Sequence, residues 1–244
     1  MTTACNPSER EYPLSNIVLL NSEAHKHLKI RSGTSVELGD GQRFVPVVPG
    51  EFQFLVAHYP LLFSKDAGTG AFFCGAVLGF DEGENLFLDE DCYRPLNLRR
   101  MPFYTAGEEI AIDLDHARVG QAGDALFSES GEPTQFLAGI AGALRELRHG
   151  GEKMKEFIDT LLRLKLIEAL DVTLSFDDGK RELQGLYTIN RETLAALDDA
   201  DVVDLFRRGY LQQIHFMIAS LRHIASLANK KNRRLLQASD GLVQ

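Results

Sequence analysis

The pattern of apolar and polar positions changes near residue 133, from mixed strands and turns to mainly helix. In the first part, FVPVV at 44–48 predicts a strand, punctuated by Pro49 and Gly50. Phe52, Leu55, Val56 and Tyr59 then fall at i, i+3, i+4 and i+7, one helical stripe that Pro60 ends. LLFS at 61–64 predicts a buried strand, and FFCGAVLGF and NLFLDE, joined by DEGE, predict a β-hairpin. EIAIDLD at 109–115 alternates, so Asp113 and Asp115 are expected on a wet face. Ser22 ahead of EAHKHLK predicts a short capped helix, on which His25 and His27 diverge.

The second part opens with Thr134 as an N-cap, followed by Leu137, Ile140, Leu144 and Leu147 at helical spacing. Gly150 and Gly151 are expected to end that helix, and a second begins near Glu152 with Met154, Phe157, Ile158 and Leu161 on one face. Val172, Leu174 and Phe176 alternate up to a turn at Asp178-Gly179, with RELQGLYTI as the returning strand. Asn190 caps RETLAAL, and a last long helix carries Leu211, Ile214, Met217, Ile218, Leu221 and Ala225. The class is α+β, with a strand-rich part at 1–132 and a helix-rich part with one hairpin at 133–244, joined in one compact domain.

Composition narrows the function classes. With 44% hydrophobic and 25% charged residues, the chain is expected to fold. A net charge of -9 opposes nucleic-acid binding, which rests on neutralising phosphates, and KKNRR at 230–234 is expected to be a solvated helix end. The start, MTTACNPSEREYPLSN, has no signal-peptide pattern, and the apolar run AFFCGAVLGF is shorter than the roughly 18 residues of a spanning helix. Neither secretion nor membrane insertion is expected. Cys5, Cys74 and Cys92 form an odd set without a CxxC pair, which fits a reducing cytoplasm, with Cys74 in the core.

The ordered segments LNSEAHKHL (20–28), VPVVPGEFQFLVAHYPLLF (45–63) and LGFDEGENLFLDEDCYRPLNLRRMPF (78–103) resemble the SapC family of bacterial proteins. ALFSESGEPT (125–134), LQGLYTIN (183–190) and GYLQQIHFMIASLRHIASL (209–227) continue that resemblance over nearly the whole chain. The family name implies a link to bacterial surface-layer biology, and its relatives are grouped near outer-membrane receptors and flavin-dependent halogenase-like proteins. No reaction is implied. An unrelated peptide-transporter permease shares the name, and the lack of a spanning segment sets this chain apart from it.

The residues suggest a short list of sites. Glu51 and His58 are seven residues apart, about 10.5 Å along a helix, too far to share a proton. Glu51 suits a helix N-terminus and His58 a helix end, and both could also border a pocket walled by YRPLNLRRMPF. That segment sets Arg94, Arg99 and Arg100 among aromatics. Guanidinium forks suit a carboxylate or phosphate, and pairing with Asp89, Glu90 and Asp91 is the structural alternative. Arg99, nearer the apolar NL, is expected to face inward more than Arg100.

No metal-ligand set, no calcium-loop order in DEGENLFLDED, no GxSxG and no phosphate loop emerges, so neither a metal nor a cofactor is expected. Two classes stay open. One is a non-catalytic cytoplasmic accessory protein that binds a protein, a peptide or a small anion through Glu51, His58, Tyr59, Asn85 and Arg99. The other is an enzyme of unknown reaction with its site near Glu51, His58, Asn85 and Arg99. Phe216 and Met217 form an adaptable apolar surface, and their expected use is an interface, with a partner protein or in a homodimer.

Overall fold

The computed structural model describes residues 16–177 and 179–240. Cys5, with the rest of residues 1–15, and Asp178 of the expected turn lie outside them. In chain order the elements begin with β1 (Ile17–Leu19), β2 (Lys29–Ile30), β3 (Phe44–Pro46), α1 (Phe52–Leu55), β4 (Leu61–Lys65) and β5 (Phe72–Val77). There follow α2 (Leu96–Arg99), β6 (Phe103–Ala106), β7 (Glu109–Asp113), β8 (Val119–Gly120), β9 (Asp124–Ala125) and the long α3 (Gln135–Arg163). The chain ends with β10 (Ile167–Ala169), β11 (Val172–Phe176), β12 (Gly179–Leu183), β13 (Leu186–Ile189), α4 (Arg191–Ala195), α5 (Asp199–Arg207), α6 (Tyr210–Ser220) and α7 (His223–Asp240).

A five-stranded antiparallel sheet, ordered β10-β13-β4-β5-β3, takes strands from both parts of the sequence. Its middle strand explains the continuous run LLF. Leu61, Leu62 and Phe63 are all fully buried, so both faces of β4 are covered and alternation disappears. Tyr59, Phe63, Phe157, Ile214 and Met217 lie in the same core cluster, which unites the two parts. The sheets β1-β7-β6 and β8-β2-β9 pack with the start of α3 around a second cluster that includes Phe103, Ile112 and Leu137. The class is α+β.

Several expected elements differ. EAHKH forms turns, because the Asn21 side chain accepts from the backbone N–H groups of Glu23 and Ala24 and buried His25 accepts from Asn21 N–H. Asp113 is buried, not wet, and its carboxylate accepts from Asp115 N–H. RELQGLYTI is two strands, since Gly185 turns the chain at φ +74° and β13 leaves the hairpin to join the central sheet. The last helix is two, α6 and α7, separated at Leu221 and Arg222.

Gly150 and Gly151 do not end a helix, because α3 runs through both. Packing is the reason. A Cβ on Gly150 would lie 2.5 Å from Val48 Cβ, whereas one on Gly151 would meet nothing within 4 Å. Gly150 therefore lets the turn before α1 approach the helix, and tertiary contact overrides the roughly 1 kcal/mol propensity cost of each glycine. Gly150→Ala should destabilise by about 1–3 kcal/mol through overpacking, and Gly151→Ala should stabilise by up to about 1 kcal/mol. Urea unfolding of the two variants checks this, and equal effects would contradict it.

The acidic segment at 81–91 and the basic segment at 230–234 meet. NLFLDE is a set of turns, not a strand, with only Leu86 N–H donating back to Leu78 O. On α7, Lys231 is buried and donates to Asp81 and Glu84, each at 2.6 Å. Lys230 pairs with Glu90, and Arg234 donates to Asn85 O at 3.0 Å. KKNRR is thus a docked helix face, not a solvated end: Lys230, Lys231 and Arg234 meet the acidic segment, and Arg233 stays exposed.

Candidate functional site

A cleft of about 350 Å³ lies between the first turns of α3, the loop after β2, and α2. Four arginines, Arg31, Arg94, Arg99 and Arg118, line it against one carboxylate, Asp124. Arg118, ahead of β8, is 4% exposed. It donates to Arg31 O at 2.9 Å, to Gly33 O at 3.2 Å and to Asp40 Oδ2 at 2.6 Å. Asp40, 2% exposed, takes Arg94 on its other oxygen at 2.7 Å. One carboxylate thus serves two guanidinium groups. Burial pulls the pKa of Arg94 below its ordinary value, opposed by the charge of Asp40.

Two features leave this cleft short of negative charge. The Nε of Arg118 is buried and has no hydrogen-bond partner among the described residues. Among the described residues, neither Arg31 nor Arg99 has an ion-pair partner within 4.0 Å. The start of α3, capped by Thr134 at Leu137 N–H, brings Gln135 and Phe136 to the same wall and adds the positive end of a helix dipole.

Glu51, 1% exposed, sits behind this cleft and organises it. Its Oε1 accepts from Leu96 N–H at 2.7 Å and from the Tyr93 hydroxyl at 3.4 Å, and its Oε2 accepts from Val48 N–H at 3.1 Å. It therefore ties the turn at Pro49–Glu51 to the start of α2, the helix that carries Arg99. Burial pushes the carboxyl of Glu51 above its ordinary range, against those hydrogen bonds. Tyr93 stacks on Phe54 with centroids 5.0 Å apart, and the Arg99 guanidinium lies 5.9 Å from its ring. The Tyr93 phenol is raised to about 12, first by burial and then by the charge of Glu51.

Other sequence-derived candidates attach to the same frame. Tyr59 donates to Tyr93 O at 2.9 Å and contacts Cys92 Sγ at 2.9 Å, and burial raises its pKa. Asn85 donates to Asp40 O at 3.0 Å and accepts from Phe87 N–H, so it fixes the backbone of the carboxylate that holds Arg94 and Arg118. His58 is half-buried beside Tyr59, and its ring makes no hydrogen bond among the described residues. The structure therefore joins Glu51, Tyr59, Asn85 and Arg99 through residues 92–99 and Asp40, and leaves His58 apart.

Three expectations about charge and surface are corrected. Arg99 is the exposed one, and Arg100 is half-buried on another face, because the four-residue α2 turns Leu96 and Leu98 inward. Arg94 pairs with Asp40, while Asp89 and Glu90 face Arg234 and Lys230 on α7. Met217 is fully buried and offers no surface to a partner, and Phe216 is half-buried against the core. Arg31, Asp40 and Arg118 were not legible as a set. Asp40 and Arg118 are 78 residues apart, in LGDGQ and HARVG, and neither string carries a local motif.

The fold and cleft define an α+β protein with an arginine-lined pocket built across three segments. Residues 20–227, most of the chain, match the family described as SapC, and the chain belongs to that family. No curated protein and no solved structure matches it. No helix among the described residues is long and apolar enough to cross a membrane. Among the same residues no group of three or more His, Cys, Asp or Glu side chains could hold a metal ion.

Proposed function

We propose that this SapC-family protein is a non-catalytic binding protein whose arginine cleft takes a carboxylate or phosphate group, on a small anion or at the end of a peptide or partner protein. The observation that carries this reading is the charge of the lining, where Arg31, Arg94, Arg99 and Arg118 stand against one lining carboxylate, Asp124, and neither Arg31 nor Arg99 has an ion-pair partner within 4.0 Å among the described residues. Guanidinium groups so placed can donate charge-assisted hydrogen bonds to a carboxylate or phosphate that enters the cleft. Of base or nucleophile types the lining holds only Asp124 and Ser32, with no histidine or cysteine, and its four arginines suit recognition of an anion. The family name adds a setting, a bacterial surface-layer or outer-membrane uptake system served from the cytoplasm.

Calorimetric titration with phosphate, and with a short peptide bearing either a free or an amidated C-terminus, tests the reading. Arg31→Gln and Arg99→Gln should each weaken anion binding about tenfold or more at unchanged melting temperature, since a charged hydrogen bond is worth about 1.5–3 kcal/mol. Gly139→Trp should block the cleft, because a Cβ there meets nothing within 4 Å and the residue lines the wall. The peptide should bind only with its carboxylate free if a chain end is the ligand, and phosphate should bind in either case. No binding of either probe, or binding indifferent to all three variants, would overturn the proposal.

A further inference from the structure

A second cavity, separate from the arginine cleft, runs along α3 and is larger, at about 890 Å³, within the roughly 300–1,000 Å³ of small-molecule sites. One wall is a single face of α3 from Leu144 to Leu162, about 27 Å at 1.5 Å rise per residue. The opposite wall comes from the chain after β3, the start of β5, α2 and β6. Val47, Val48, Leu144, Leu147, Met154 and Ile158 make it apolar.

Its polar lining is strongly one-signed. Lys65, Arg100, Arg148 and Lys155 line it against one carboxylate, Asp159, in a chain of net charge -9. Only Arg148 has an ion-pair partner among the described residues, Glu108 at 2.8 Å. The half-buried Arg100 donates to two neutral acceptors, Asn97 Oδ1 and Phe103 O, each at 2.8 Å, and lies 4.8 Å from the Tyr104 ring. A guanidinium partly withdrawn from water with no counter-charge is costly unless an anion completes it. Lys65 likewise faces the rings of Phe72 and Tyr187, at 4.8 and 5.1 Å, not a carboxylate.

We infer that this groove binds a single-chain amphiphile, an aliphatic tail with an anionic head of the fatty-acid kind, with the head at Arg100 and the tail along α3. The groove is long enough, since one acyl chain spans about 15 Å, half of the roughly 30 Å bilayer core. An uncharged hydrocarbon would bring Arg100 no counter-charge, and a compact anion would leave the apolar length unfilled.

The test is titration of the full chain with laurate and, separately, with dodecanol. Laurate should bind at least tenfold more tightly than dodecanol. Arg100→Gln should bring the two to similar affinity. Gly151→Trp should abolish both, because Gly151 lines the groove on exposed helix and a Cβ there meets nothing within 4 Å, so the fold is spared and the groove is filled. Gly139→Trp, which blocks the arginine cleft, should remove any laurate held there and leave the groove's laurate, the part lost in Gly151→Trp, in place. Equal affinity for laurate and dodecanol, no binding of laurate, or laurate binding that survives Gly151→Trp would each overturn the inference, as would a groove that takes an acidic peptide and rejects laurate.

Discussion

Asp40→Ala should lower the unfolding free energy by about 3–5 kcal/mol, the largest effect expected of any single charge in this protein. The carboxylate is buried, and it neutralises Arg118 at 2.6 Å and Arg94 at 2.7 Å while accepting from Ser35 N–H at 3.0 Å. Its loss leaves the Arg118 charge buried with only the carbonyl oxygens of Arg31 and Gly33 as partners. Asp40→Asn, similar in shape, should destabilise less and also raise the affinity of the cleft for phosphate, because it removes the internal competitor. Added phosphate should therefore recover more melting temperature in Asp40→Asn than in the wild type. Thermal unfolding of both chains across a phosphate series reads the two effects together, and an Asp40→Asn chain that phosphate does not rescue would separate Asp40 from the site.

Lys231→Met should cost about 2–4 kcal/mol, somewhat under the roughly 3–5 kcal/mol for breaking a fully buried pair, because Asp81 is 41% exposed in its side chain. Lys231 holds Asp81 and Glu84, and Glu84 also accepts from the backbone N–H groups of Phe80 and Asp81, so one ammonium organises the whole acidic turn. Burial alone would lower the pKa of Lys231, and the two carboxylates more than reverse this, leaving it raised. Its stabilising share is thus present at neutral pH and is lost only as pH rises through that raised value. Lys230→Ala, at the more exposed pair with Glu90, should cost no more than about 1 kcal/mol. Urea unfolding at neutral pH distinguishes the two, and equal, small losses would mean that α7 is not latched to the acidic loop.

Features set by near neighbours in sequence were legible. Thr134 and Asn190 cap α3 and α4 through side chains that reach Leu137 N–H and Thr193 N–H, three residues on, and LLF read as buried because both faces of β4 are covered. Features decided by distant partners were not. Gly150 looks like a helix end until Val48, about a hundred residues earlier, is seen against it. KKNRR looks solvated until the acidic loop closes over it, and the phase of a helix as short as α2 cannot be taken from two flanking residues, which is why Arg99 and Arg100 exchanged roles. The candidate site was half legible for the same reason. The aromatic, arginine-rich segment at 93–103 announced itself, whereas Arg31, Asp40 and Arg118 reach it only through the β8-β2-β9 sheet and the loop after β2.

Whether an anion completes the arginine cleft can be seen in a crystal of the full chain soaked in phosphate. The predicted result is an ordered phosphate in the cleft, with oxygens about 2.7–3.2 Å from guanidinium nitrogens of Arg31 and Arg99. Saturating phosphate with only water in the cleft, or phosphate bound solely elsewhere on the protein, would contradict it.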